Sequence, residues 1–301
     1  MRHVRLLAAL VATVLTANAM AGHHEKSEHN ALIIQADFEG MVMAGVAKSV
    51  SKKLEVFNVR PLIPLYDIRA ASETLAYNAQ TWPEGTVFVS VVDPGVGTAR
   101  KSVVLKTKNG LYFVSPDNGT LSGVADAYGI SAVREIDETV NRRPNTEWAH
   151  TFHGRDVYSY TGARLAAGVI SFEQVGPLLE PEVIQLEISA GTYEERVFEG
   201  QVAGGVDRLG NIYFNIDREL FERDKPEYGD IYEIAITNRE RIVWEGAMPY
   251  AKSFGAVAVG ENLLFINSSG LLSIAINQGN FAEANGIGYG ADWRISVRKR
   301  R

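Results

Sequence analysis

The chain has 301 residues, 46% of them hydrophobic and 22% charged, with a formal net charge of −6 and no cysteine. That length supports a substantial core in one large domain or two modest ones. The acidic balance, with no internal basic block, argues against a nucleic-acid surface, and without cysteine the fold has no disulfides and must hold by packing alone.

Residues 1–5 carry Arg2 and Arg5, residues 6–16 are apolar, and Ala19-Met20-Ala21 has a small residue on either side of one larger one. This order predicts a secretory signal peptide over 1–21, cut after Ala21, and an exported protein, periplasmic or secreted. The apolar run falls short of the ~20 residues that span a bilayer, and no other segment reads as a transmembrane helix. Residues 22–30 (GHHEKSEHN) hold three of the six histidines and read as a flexible leader.

Residues 31–36 (ALIIQA) form a short apolar run ending at Asp37, the pattern of a buried strand with a carboxylate at its C-terminal end. A helix is expected over 42–54, a strand over 55–59 and a second helix over 67–79 with Asp67 as its N-cap. Residues 86–92 (TVFVSVV) read as a strongly buried strand. Segments 101–107 and 111–114 fit a hairpin closed by Lys108-Asn109-Gly110. A helix over 121–128, a strand over 132–136 and a helix over 156–167 ended by Gly168 follow. This alternation, up to about residue 180, predicts an α/β domain with a largely parallel sheet.

The pattern then changes. Strands are expected over 196–206, 212–216, 231–237, 239–245, 263–266 and 271–276, separated by Gly, Asn and Asp turns and without helices between them. They predict a small all-β domain, a barrel or sandwich. The boundary falls near 188–195, which gives an α/β domain over 31–190 and a second domain over 191–301. Its basic tail, 298–301, is expected to be solvated.

In open α/β sheets ligands bind beyond the carboxyl ends of the strands. Asp37 and Asp93 lie at such ends, and Arg100 follows Asp93 by seven residues through a glycine-rich turn. SPDNGT at 115–120 and TFHGRD at 151–156 each enter a helix. Asp-Pro-Gly and Pro-Asp-Asn-Gly are also ordinary turns, and Asp156 fits a simple helix cap. Outside the leader and signal peptide only His150 and His153 remain for imidazole chemistry. A carboxylate, a guanidinium and an imidazole make a water-activating set: Asp93 orients the nucleophile or takes its proton, Arg100 fixes the carboxylate by a bidentate contact, and His153 positions the water or passes the proton on.

As a group these motifs resemble the S-adenosylmethionine hydroxide adenosyltransferase family, relatives of the fluorinase and chlorinase enzymes. The likeness rests on ADF at 36–38, VVDPGVGTAR at 91–100, SPDNGTL at 115–121, TFHGRD at 151–156, DRLGN at 207–211 and NSSGLLSIAINQGN at 267–280. It implies an N-terminal α/β domain, a C-terminal β-barrel, and a homotrimer whose sites lie between the first domain of one subunit and the second of the next. It implies hydrolysis of S-adenosylmethionine to adenosine and methionine, with no cofactor and no metal. By position Asp93, Arg100 and His153 match the family's catalytic trio and Asp37 the carboxylate that holds the ribose hydroxyls. Tyr66 matches an aromatic pocket wall, Asp207 and Asn211 polar contacts to the methionine and adenine ends, and Ser268 and Ser269 the receiver of the methionine carboxylate.

Halogenating relatives carry an aromatic hydroxyl at the position of Asp93. A carboxylate there repels halide and orients water. The family's TDFG segment with its second aspartate is replaced here by Ala36-Asp37-Phe38-Glu39-Gly40, and Leu209 stands for a usual phenylalanine. Two other readings stay open. One is a metal hydrolase using His150 and His153 with Asp93, Asp117 and Asp156. The other is an exported binding protein for adenosine or S-adenosylmethionine, without catalysis.

Overall fold

A computed structural model describes residues 31–187, 190–203, 209–290 and 292–301. The expected signal peptide and leader, and Asp207, lie outside these residues. In the first half the apolar runs become strands and the amphipathic segments become helices, in the order β1 (Ala31–Ala36), α1 (Met41–Val50), β2 (Glu55–Asn58), α2 (Ile68–Ala79), β3 (Val87–Val91), β4 (Ser102–Thr107), β5 (Tyr112–Pro116), α3 (Ser122–Tyr128), β6 (Ile130–Glu135) and α4 (Glu138–Asn141). A π-helical turn (Gly154–Tyr158) then runs into α5 (Ser159–Ala166), followed by a two-residue strand, β7 (Leu178–Leu179). Asp67 caps α2 as its sequence position implies, accepting the Ala70 N–H at 2.8 Å.

The seven strands form one sheet in the order β2-β1-β3-β5-β4-β6-β7. It is mixed rather than largely parallel: β2/β1, β1/β3 and β3/β5 run parallel, while the β4–β5 hairpin reverses direction and leaves β4/β6 and β6/β7 antiparallel as well. Successive side chains of β1 go to opposite faces. Leu32 and Ile34 join Met43, Val89, Val157 and Ala163 on the face covered by α1 and α5. Ile33 joins Phe88, Phe113, Leu75 and Val124 on the face covered by α2 and α3. Gly162 lets α5 lie directly on the sheet, since a Cβ there would meet Val89 Cγ2 at 2.5 Å.

The C-terminal part comprises β8 (Thr192–Glu194), β9 (Val197–Gln201), β10 (Ile212–Asp217), α6 (Arg218–Glu222), β11 (Ile231–Asn238), β12 (Arg241–Pro249), β13 (Asn262–Ile266), β14 (Leu271–Ile276), α7 (Phe281–Asn285) and β15 (Trp293–Lys299). The strands form two antiparallel sheets, β10-β14-β13 and β12-β11-β15-β9-β8. They share one core, with Phe214 and Ile274 from the first sheet packed among Phe198, Ile234 and Val297 from the second. Isolated bridges Val202–Phe214 and Tyr250–Leu264 link the sheets.

Two expectations are corrected here. Short helices do intervene: α6 and α7 insert Phe221 and Phe281, both fully buried, into the shared core. Residues 298–299 are not tail but the end of β15, which is hydrogen-bonded between β11 and β9. The alternating burial of β15 explains why its charged positions hid it, since Trp293, Ile295 and Val297 face the core while Arg294 and Arg298 are exposed.

Candidate active site

β1 and β3 are adjacent and parallel, with Ala36 beside Val91. The residues just beyond them, Asp37 and Asp93, therefore emerge at the same edge of the sheet. The turn after Asp93 folds back on segment 150–154. It does so through Gly97, whose φ of +79° suits a residue without Cβ and whose added Cβ would meet the His150 carbonyl oxygen at 2.8 Å. His153 begins the π-helical turn, a distortion common at functional sites.

These segments enclose a cleft of about 210 Å³ lined by Asp37, Leu65, Tyr66, Asp93, His153 and their neighbours. Its wall is largely apolar. Phe38 and Phe152 meet edge-to-face with centroids 5.6 Å apart, and Val91 and Val96 add to them.

The polar floor is tightly connected. Arg100 holds Asp93 bidentately, Nε donating to Oδ1 at 2.9 Å and Nη2 to Oδ2 at 2.6 Å. The same Nη2 lies 3.1 Å from His153 Nδ1. Tyr158 donates to Asp93 Oδ2 at 3.3 Å and shares a second contact with Ser102 at 3.1 Å, while Ser102 accepts from Arg100 Nη1. Burial, reinforced by the Asp93 carboxylate, pushes the Tyr158 phenol far above its usual range, so it remains a donor. Three of the roughly four acceptor positions of the Asp93 carboxylate are thereby used, leaving one for a ligand. Burial also holds the His153 imidazole below its ordinary range. Arg100 and Arg142 push in the same direction, against Glu138 and Asp93.

Asp37 accepts the Tyr66 backbone N–H at 2.9 Å. Tyr66 itself has φ of +63°, a strained conformation for an aromatic residue, and its side chain is exposed at the rim.

The structure brings together Asp93, Arg100 and His153, with Asp37 and Tyr66 in the same cleft. Asn211, Ser268 and Ser269 do not line it: Asn211 is buried just before β10, and the two serines are exposed on the β13–β14 turn. The SPDNGT motif is architectural. Asn118 donates to the Val92 carbonyl at 2.9 Å and Asp117 accepts the Ile184 N–H at 2.8 Å. Asp156 is neither a cap nor part of the cleft; it is fully buried in the π-helical turn and paired with Arg155. Among the described residues no group of three or more His, Asp or Glu side chains is gathered as for a metal. Sequence reasoning missed Tyr158, Ser102, Glu138 and Arg142, none of which lies at the carboxyl end of a strand or in a recognisable motif position.

The sequence matches the SAM hydroxide adenosyltransferase N-terminal domain over residues 35–176 and the C-terminal domain of the same family over 204–294. A relative from Salinispora tropica, named (R)-S-adenosyl-L-methionine hydrolase, is 32% identical over 86% of this chain and 94% of its own length. A fluorinase from Actinopolyspora mzabensis is 26% identical over 84% of this chain and 90% of its own. The crystal structure of an uncharacterized conserved protein from Thermotoga maritima superposes with a TM-score of 0.80 at 32% identity, covering 89% of this chain and 99% of that one. By its two matched domains and the length over which its relatives align, the chain belongs to the SAM hydroxide adenosyltransferase family.

Proposed function

We propose that the protein hydrolyses S-adenosylmethionine to adenosine and methionine. The observation that carries this reading is the convergence of Asp93, Arg100 and His153 on the floor of an apolar cleft, with the Asp37 carboxylate across it. A site that only bound a nucleoside has no need of a carboxylate locked by a guanidinium beside an imidazole.

The reaction is a displacement at the ribose C5′ carbon. Water oxygen forms the new O–C bond while the C–S bond breaks, and sulfur leaves with the bonding pair as the neutral thioether of methionine. The leaving group needs no proton, so the protein's work is to align water and accept its proton as the bond forms. The open acceptor position of Asp93 orients the water, and Asp37 takes the ribose hydroxyls. These steps are assigned to side chains alone, without a cofactor or metal.

A cleft of about 210 Å³ is below the ~300–1,000 Å³ of most small-molecule pockets, and Asn211, Ser268 and Ser269 are outside it. Both facts support a site completed by the second domain of a neighbouring subunit, as in the homotrimer that the family resemblance implies, with Asp207 among the contributing residues. The two bridges between the C-terminal sheets support reading that domain as the barrel typical of the family. The basic, apolar and small-residue series at 1–21 supports export. Incubating purified protein with S-adenosylmethionine and resolving the nucleosides by chromatography tests the function. Adenosine appearing with methionine in equal amounts is expected, and unchanged substrate would overturn it.

A further inference from the structure

Arg142, which ends the segment of α4, reaches His153 from the side opposite Arg100. Its Nη2 lies 3.3 Å from His153 Nε2, while Arg100 Nη2 lies 3.1 Å from Nδ1. Arg142 is nearly buried, its side chain 9% exposed, and is itself held: Nε and Nη2 both donate to Glu138 Oε2, and Nη1 donates to the Thr146 and Ala149 carbonyls. It thus fixes both the imidazole and the loop leading to it.

We propose that Arg142 is a positioning residue for the hydrolysis, clamping the His153 ring against Arg100 so that it works as a fixed, neutral imidazole rather than as a store for the water proton.

The physical reason is donor and acceptor counting. A guanidinium has only donors and a neutral imidazole has one lone-pair nitrogen, so one guanidinium donates to the ring and the other packs against its N–H. An imidazolium would present an N–H to a guanidinium on each side, with like charges facing across a largely buried ring. The other charged and titratable groups around the ring are Asp93 and Tyr158 on the Arg100 side and Glu138 on the Arg142 side. A proton leaving the water therefore passes toward Asp93 or solvent, not onto His153.

The inference rests on the proposed hydrolysis for its kinetic readout but not for its spectroscopic one. Two variants move the ring in opposite directions. Arg142→Gln removes a cation, so the imidazole becomes easier to protonate: its NMR titration midpoint and the acidic limb of kcat both shift to higher pH. Plateau kcat falls on the order of tenfold through lost orientation, with KM within about threefold. Glu138→Gln keeps the side-chain shape and removes an anion, so midpoint and limb both shift to lower pH. Arg142→Lys retains the charge and keeps the midpoint near that of the parent. The His153 resonance is assigned by its loss in His153→Gln. Shifts in opposite directions for Arg142→Gln and Glu138→Gln support the clamp. Unchanged midpoints in Glu138→Gln, or in a folded Arg142→Gln protein, overturn it. Titration shifts without adenosine release in any form would instead overturn the hydrolysis and leave the clamp standing.

Discussion

Replacing Asp93 by asparagine keeps the shape of the side chain and removes the charge that two Arg100 nitrogens hold at 2.9 and 2.6 Å. Asparagine offers one oxygen where the carboxylate offered two, so one Arg100 N–H comes to face an amide N–H. The Asp93 and Arg100 side chains are only 5% and 10% exposed, so solvent compensates the lost partner poorly. Breaking a buried pair from one side costs about 3–5 kcal/mol. This is a large part of the ~5–15 kcal/mol that holds a folded protein, and corresponds to roughly 6–20 °C in Tm. The native state should survive it. Turnover should fall about 10²–10⁴-fold, or roughly 2.7–5.4 kcal/mol of barrier at ~1.36 kcal/mol per decade. KM should stay within about threefold, because the role proposed for Asp93 is exerted where the O–C bond forms. Adenosine release at saturating S-adenosylmethionine gives kcat, and circular dichroism melting gives Tm. A folded Asp93→Asn protein with kcat within about threefold of the parent would refute the assignment.

His153→Ala should likewise lower kcat by about 10²-fold or more, whereas Asp37→Ala should mainly raise KM and the calorimetric Kd, since ribose hydroxyls are present in both ground and transition states. Equal kcat losses in both would erase that distinction. In high chloride or fluoride the nucleoside product should remain adenosine; a predominant 5′-halogenated nucleoside would move the protein to the halogenating branch. Light scattering should return a trimer or a multiple of one, and a fully active monomer would end the case for shared sites. Protein recovered from the cell envelope should begin at Gly22 on N-terminal sequencing, and an exported form that still carries Met1 would defeat the export reading.

The sequence made the strand ends of the site readable because β1 and β3 are continuous apolar runs that stop at acidic residues. Nothing in those runs says that they are neighbours; the parallel β1/β3 pairing brings Asp37 and Asp93 out at the same edge of the sheet. His153 was identified because so few histidines remain in the folded body. Tyr158 and Ser102 were not, since one ends the π-helical turn and the other begins β4, and each gains its role only where that turn meets the sheet. Arg142 lay in a polar NRRPN run that reads as a loop, and its partner His153 is eleven residues on. In the second half, local alternation revealed strands but not the five-residue helices α6 and α7, which are too short to show a helical period. Residues 298–299, the end of β15, read as tail because they belong to a basic run at the end of the chain.

The π-helical turn separates two requirements that one continuous α-helix would tie together. Downstream, α5 is keyed to the sheet by Gly162 against Val89, so its rotation about its own axis is fixed by packing. Upstream, His153 must meet Arg100 on one side and Arg142 on the other. In an α-helix each residue advances about 100°, so the angle between the keyed face and the leading side chain would be set by residue count alone. The wider turn over Gly154–Tyr158 changes that angle. Shortening the segment by one residue would swing the imidazole out from between its two guanidiniums while leaving the sheet contact of α5 intact. The catalytic constellation thus depends on a phase relationship within the chain as well as on which side chains are present.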